Sequence, residues 1–276
     1  MTARRKNSLS GFILPTILPH QLTLPLSPPV DKSLDASLDA RRPNVIIDAM
    51  AARKTIFANE EFYHVYNRGV DKRNIFLDDY DRKRFFQSMT EFNVVEPIGS
   101  IYEKTIADKS LGRLASKSKD LVNFIAYCLN PNHYHFVLEQ KMDDGIEKFM
   151  HRLGTGYSKY FNNKYQRGGA LFQSKFKSVY INSNEYLLHL SVYVNLNYNF
   201  HPEKNGNGKL GRLASKFAWS SWDEYCGRNN LNFCRQNIIL DQFNNQKEYE
   251  EFAQKTLGEI IERKKSEKEW ADLMID

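Results

Sequence analysis

The sequence predicts an α+β fold, an antiparallel sheet with helices packed on it. Three observations carry this. Val122–Leu129 and His133–Leu138 are apolar, strand-like runs, and Asn130-Pro131-Asn132 between them is a strong turn signal, so they read as a β-hairpin. Longer segments on either side carry helical spacing. Apolar residues make up 41% of the 276, enough for a core in one moderate domain plus tails.

The elements follow in order. Residues 1–55 hold a proline cluster from Pro15 to Pro43, and Ser33-Leu34-Asp35-Ala36 repeats at once as Ser37-Leu38-Asp39-Ala40, so the segment reads as disordered. Met50 makes a natural start, and the preceding tail is expected to be dispensable. Ala3-Arg4-Arg5-Lys6 precedes Phe12-Ile13-Leu14, but Pro15 and Pro19 break the apolar stretch, which excludes a clean signal peptide. No run is long enough to span a membrane, and a cytoplasmic location is expected. Phe62–Tyr66 reads as the first strand, and Asp78–Phe92 as a helix offering Phe85 and Phe86 to the core. Residues 94–119 form a long connection. The hairpin ends near Glu139, a second helix runs over Gly145–Lys164, and Leu171–Ile181 includes a further strand. Asn182–Asn197 reads as a helix, with capping side chains from Asn182 to Asn184, Glu185 in the first turn, and Leu188, Val192 and Leu196 as a packing stripe. Lys247–Met274 reads as a charged helix, its contact with the core left open. The boundaries expected are 1–55 for the extension, 56–228 for the main domain and 229–276 for the helical charged tail.

Leu111-Gly112-Arg113-Leu114-Ala115-Ser116-Lys117 recurs unchanged as Leu210-Gly211-Arg212-Leu213-Ala214-Ser215-Lys216. Two copies at this spacing are no solenoid. They are expected to be translated copies of a short repetitive DNA element inserted into tolerant connections.

His133-Tyr134-His135 is the most informative tripeptide. Side chains alternate along a strand, so positions 133 and 135 point the same way and two imidazoles can grip one divalent ion. Alone, such a pair is more often surface or core histidine. Tyr193 and Asn197 are four apart on a helix and share a face. Tyrosine is a possible nucleophile for phosphodiesters, and the Asn amide oxygen a possible third ligand. Alone again, Tyr193 would be an ordinary packed aromatic.

Net charge is +6, unevenly spread. From Lys148 to Asn184 there is no acidic residue, while Lys148, Arg152, Lys159, Lys164, Arg167, Lys175 and Lys177 are present. One-signed charge of this kind suits nucleic acid. The interleaved aromatics Tyr157, Tyr160 and Phe161 are expected in the core rather than stacked on bases. The cysteines, Cys128, Cys226 and Cys234, are odd in number and lack paired metal spacing, so reduced thiols are expected, Cys128 buried in its strand.

Taken together, these motifs resemble the single-tyrosine HUH transposases, in the branch of REP-associated tyrosine transposases. The resemblance runs from about Glu61 to Tyr225. It includes Tyr63-His64-Val65-Tyr66-Asn67-Arg68-Gly69, Ile75-Phe76-Leu77-Asp78-Asp79 and the His133 hairpin. Beyond these come Gly169-Ala170-Leu171-Phe172-Gln173-Ser174-Lys175-Phe176-Lys177-Ser178, Tyr193-Val194-Asn195-Leu196-Asn197 and Trp219-Ser220-Ser221-Trp222. It implies a ferredoxin-like or RRM-like HUH nuclease core with helices on one face of the sheet. His133, His135 and Asn197 match the metal site, for Mg²⁺ or Mn²⁺, and Tyr193 matches the catalytic tyrosine. Proline usually follows the asparagine; here Tyr198 does, and the helix is expected to run on by a residue or two. The implied activity is nicking and strand transfer of single-stranded DNA, beside a hairpin, through a 5′-phosphotyrosine, in transposition or mobilisation of short palindromic repeats. Arg68 and Arg167 are the phosphate contacts suggested first, with Lys148, Arg152, Lys159, Lys175 and Lys177 as further DNA contacts. Monomer and homodimer both remain open. So do two other readings: a catalytically inactive nucleic-acid-binding protein on the same fold, and a replication-initiator-type HUH nickase.

Overall fold

The structure is a computed structural model describing residues 55–99, 101, 119–200 and 219–273. Both Leu-Gly-Arg-Leu-Ala-Ser-Lys copies, residues 1–54 of the expected 1–55 extension and most of the connection before the hairpin lie outside the described residues. The chain divides into Met1–Asp48 and Ala49–Asp276, and all that follows concerns the second unit.

The elements are β1 (Phe62–Arg68), α1 (Asp79–Glu91), β2 (Val122–Asn130), β3 (His133–Gln140), α2 (Gly145–Lys164), β4 (Lys177–Tyr180) and α3 (Asn184–Asn195). Among the described residues, a short 3₁₀ turn after β1 (Val70–Lys72), a 3₁₀ turn after α3 (Asn197–Phe200), β5 (Trp219–Ser220), α4 (Trp222–Tyr225), α5 (Asn237–Leu240) and α6 (Gln246–Leu273) complete them. The sheet is antiparallel throughout, in the order β4-β1-β3-β2-β5. Its first four strands and two helices run β-α-β-β-α-β, the ferredoxin-like order, and β5 extends one edge.

Local chemistry sets the element ends. Asp78 caps α1 by accepting from the Asp81 N–H, and Ser183 caps α3 by accepting from the Tyr186 N–H. α2 begins and ends where its periodicity predicts.

Alternation sorts the strand residues onto two faces. Tyr63, Val65, Tyr134, Phe136 and Leu138 join the core under α1 and α2, with Phe85, Phe149, Tyr157 and Phe161. Val137, Ile125, Ala126 and Cys128 join a second core with α3 and α6 residues, among them Leu187, Val194, Tyr249 and Ala253. Helices therefore cover both faces, not the single face the resemblance implied. The reason is that α3 carries apolar residues on most of its circumference and is buried between the sheet and α6. β2 contributes through a bulge between Phe124 and Ala126, where the register slips. Ile125 and Ala126 both face α3, and the slip turns Cys128 and Asn130 toward that face too.

Tyr157 and Phe161 are core, as the spacing predicts, and Tyr160 is half-buried. Cys128 and Cys234 are buried, and all three cysteines are free thiols. The stripe on α3 departs in detail: Val192 and Leu196 are buried, but Leu188 is half-buried. The charged C-terminal helix does touch the core, because Tyr249, Ala253 and Ile260 are inserted into it. No helix among the described residues is long and apolar enough to cross a membrane.

Candidate active site

β3 is the central strand, and its register aligns two rows across the sheet. Tyr66 on β1, His135 on β3 and Cys128 on β2 form one; Arg68, His133 and Asn130 form the next. Directly opposed residues share a face, so both rows look toward α3. His64, two residues before Tyr66, joins them.

His133 is held from both nitrogens. Its Nδ1–H donates to Asn132 Oδ1, and its Nε2 accepts from Asn130 Nδ2 at 3.0 Å. The same Asn130 amide donates to Asn197 Oδ1 at 2.7 Å. Tautomer and amide orientation follow from this network. His133 Nε2 and Asn197 Oδ1 thus stand 3.3 Å apart, both acceptors aimed at one donor. Adjacent ligands on a hard cation with bonds of about 2.1 Å are about 3 Å apart, so the pair has the bite of a chelate.

His135 Nδ1 lies 2.9 Å from His64 Nε2. Burial pushes the His64 imidazole down to about 4, so it is uncharged at neutral pH. Tyr193 is half-buried, its ring edge-on to His135, with centroids 5.7 Å apart. Burial raises its phenol above the ordinary tyrosine range, and the Asn197 amide beside it works in the opposite sense. Cys128 lies across from His135, but burial pushes its thiol up to about 12, which makes it a poor ligand at neutral pH.

Asn197 does not sit on the helix. α3 ends at Asn195, and Asn197 opens the 3₁₀ turn, with the Asn199 N–H bonded to Leu196 O at 2.9 Å. The expected run-on of the helix is therefore wrong. Tyr198 has an N–H, which a proline lacks, and that N–H lies toward the Cys128 thiol, opposing the rise that burial imposes on it.

A pocket of about 300 Å³ gathers Tyr66, Arg68, His133, His135, Lys177 and Tyr193, with Asn67, Gln173 and Ser174. No carboxylate lines it. Such a site suits a phosphodiester: cations for its oxygens, a phenol as nucleophile, and imidazole and amide acceptors for a metal. Among the described residues, no group of three or more His, Cys, Asp or Glu is arranged to hold a metal ion. The donors on offer are two imidazoles and a carboxamide, a set compatible with Mg²⁺ or Mn²⁺.

The residues expected to contact DNA divide. Arg68 and Lys177 line the Tyr193 pocket. Lys159 and Lys175 line a neighbouring groove of about 640 Å³, which meets that pocket at Asn67 and Ser174. Arg152 is committed elsewhere, donating to Val94 O and Val95 O, and Arg167 donates to Ala170 O at 3.1 Å. Lys148 pairs with Asp144 at the start of α2. They do not form one basic surface, because Arg152, Arg167 and Lys148 are held by other partners while Lys159 and Lys175 stand in the neighbouring groove.

Residue-by-residue reading of the sequence passed over His64, Tyr66 and Asn130. The signal was available for two of them: His64, Tyr66 and Arg68 recur at period two on β1, as His133 and His135 do on β3.

Residues 103–197 match the family model described as "Transposase IS200 like". The match spans β2 through α3 and ends at Asn197, so both hairpin histidines and Tyr193 lie within it. No curated protein matches the chain. Among solved structures, it is similar to a REP-associated tyrosine transposase bound to a REP hairpin. The identity is 13% and the TM-score 0.41, over 65% of this chain and 87% of that one.

Proposed function

We propose that the protein is a metal-dependent transposase-type enzyme that nicks and rejoins single-stranded DNA through Tyr193. The observation that carries this reading is the convergence of Tyr193, His133 and His135 with Arg68 and Lys177 in one pocket free of carboxylates, with Asn197 against His133. A divalent ion, Mg²⁺ or Mn²⁺, held by His133, His135 and Asn197, supplies Lewis acidity to the scissile phosphate when bound.

The chain's own residues do the rest. Arg68 and Lys177 hold the phosphate by charge. Tyr193 Oη forms the new bond to phosphorus and gives up its proton, the bond from phosphorus to the 3′ oxygen breaks, and that oxygen takes a proton. The products are a 5′-phosphotyrosine and a free 3′-OH. Attack by the 3′-OH of a second strand reverses the sequence, rejoins DNA and returns the proton to Tyr193. The bond energy is kept in the covalent link, so no ATP is required. The substrate we infer is single-stranded DNA beside a hairpin, met in the cytoplasm.

The test incubates purified protein with labelled single-stranded DNA from the flanks of its own gene, with Mn²⁺ or Mg²⁺, beside Tyr193→Phe. A covalent protein–DNA band that requires metal and vanishes in the variant is expected. Binding without a covalent product on every flank substrate would leave a DNA-binding module on this fold.

A further inference from the structure

We propose that His64 is a positioning residue, whose imidazole accepts a hydrogen bond from His135 Nδ1 and thereby presents His135 Nε2 to the metal ion. The inference rests on the metal-dependent reading above and adds to it a residue outside the ligand set.

The geometry is specific. His64 Nε2 and His135 Nδ1 are 2.9 Å apart, and the two rings lie nearly parallel, with 18° between planes. Tyr66 stacks on His64 from the same strand, with centroids 4.9 Å apart. β1 is hydrogen-bonded on both sides, to β3 and β4, so the backbone under His64 is fixed. Both rings are buried, and both have little room to turn.

Only one proton fits between two imidazole nitrogens. If His64 donates it, the neutral His135 carries its own proton on Nε2 and cannot bind a cation there. If His135 donates, Nε2 bears a lone pair. Ligation through Nε2 therefore selects His64 as acceptor. A ligating imidazole commonly gives its second N–H to a carboxylate, a backbone carbonyl or water. An imidazole in that place fixes the tautomer without adding negative charge, and a carboxylate there would repel the incoming phosphodiester.

The test compares the parent chain with His64→Phe, which keeps a flat ring and removes the acceptor, and His64→Gln, which restores one. Three quantities are measured: Mn²⁺ affinity by electron paramagnetic resonance, the His135 tautomer by long-range ¹H–¹⁵N NMR in the Mg²⁺-loaded protein, and metal-free binding of single-stranded DNA. We expect Mn²⁺ affinity to fall about 10- to 100-fold in His64→Phe and to recover in part in His64→Gln. Metal-free DNA binding should stay within about twofold of the parent, as the phosphate contacts are untouched. In the loaded parent, His135 should carry its proton on Nδ1. Mn²⁺ affinity unchanged in His64→Phe, or a His135 proton on Nε2 in the loaded parent, would overturn the proposal. The NMR measurement needs no variant, so a proton on Nε2 refutes the proposal even if His64→Phe fails to fold. A parent chain that binds no Mn²⁺ would instead overturn the metal-dependent reading itself.

Discussion

Tyr249→Phe isolates the contact that ties α6 to the helix carrying Tyr193. The Tyr249 hydroxyl accepts from Asn195 Nδ2 at 3.0 Å and shares a hydrogen bond with Ser191 Oγ at 3.1 Å, with all three side chains fully buried. Removing one oxygen leaves the ring packed against Tyr225, Phe243 and Phe252, so the apolar contribution is retained. Ser191 Oγ still donates to Leu188 O at 2.7 Å, and Asn195 Oδ1 keeps its bond from Ser221 Oγ. The loss falls on Asn195 Nδ2, a buried donor deprived of this acceptor, which costs about 1–3 kcal/mol. For a urea slope near 2 kcal/mol/M, a loss of about 2 kcal/mol lowers the unfolding midpoint by about 1 M at unchanged slope. Equilibrium urea unfolding followed by far-UV circular dichroism reads both quantities. A change under about 0.3 kcal/mol would refute the reasoning. So would a Tyr249→Ala variant no worse than Tyr249→Phe, because truncating a docked aromatic should cost about 3–5 kcal/mol.

Three further outcomes follow from the same kind of argument. Burial raises the Glu224 carboxyl above its ordinary value, against the opposing Cys234 and Phe233 N–H donors. A carboxyl raised in the fold contributes stability below its unfolded pKa that is lost as pH rises through the folded one; Glu224→Gln should therefore flatten the decline in stability above pH 4.5, and a parallel decline in both proteins would count against this. Gly69→Ala places a Cβ 2.2 Å from Arg73 O, a backbone atom that cannot swing aside, and should cost about 1–3 kcal/mol, seen as a lower Tm by calorimetry; a parental Tm would show that the turn after β1 gives way freely. Arg68→Ala should weaken single-stranded DNA binding uniformly across sequences and reduce the salt dependence by about one ion, and an unchanged salt slope in fluorescence anisotropy would remove Arg68 from the phosphate contacts.

Patterns of short range were legible in the sequence. Period-two alternation determined that His133 and His135 share a face, turn chemistry determined the hairpin, and the approximate span read for the second helix agrees with α2. Tyr193 and Asn197 were correctly expected to be neighbours, but by the wrong route, since Asn197 stands in a 3₁₀ turn after the helix. Which strand lies beside β3 is a different kind of fact. All eight residues of β3 are buried, so hydrophobic alternation could not tell its two faces apart or show that helices cover both. Only cross-strand register brings His64 of β1 against His135, 71 residues away. Only the bulge in β2 turns Asn130 toward His133 and Asn197, and only the tertiary structure assigns Arg68 and Lys177 to the Tyr193 pocket and Lys159 and Lys175 to the groove beside it. The sequence by itself determined the hairpin, the long helices and the paired histidines, because neighbours along the chain dictate them, while the short β5, α4 and α5 carried no such pattern. The tertiary structure decided which side chains touch those histidines, the docking of α6 and the division of the charge, because those depend on which distant surfaces bury one another.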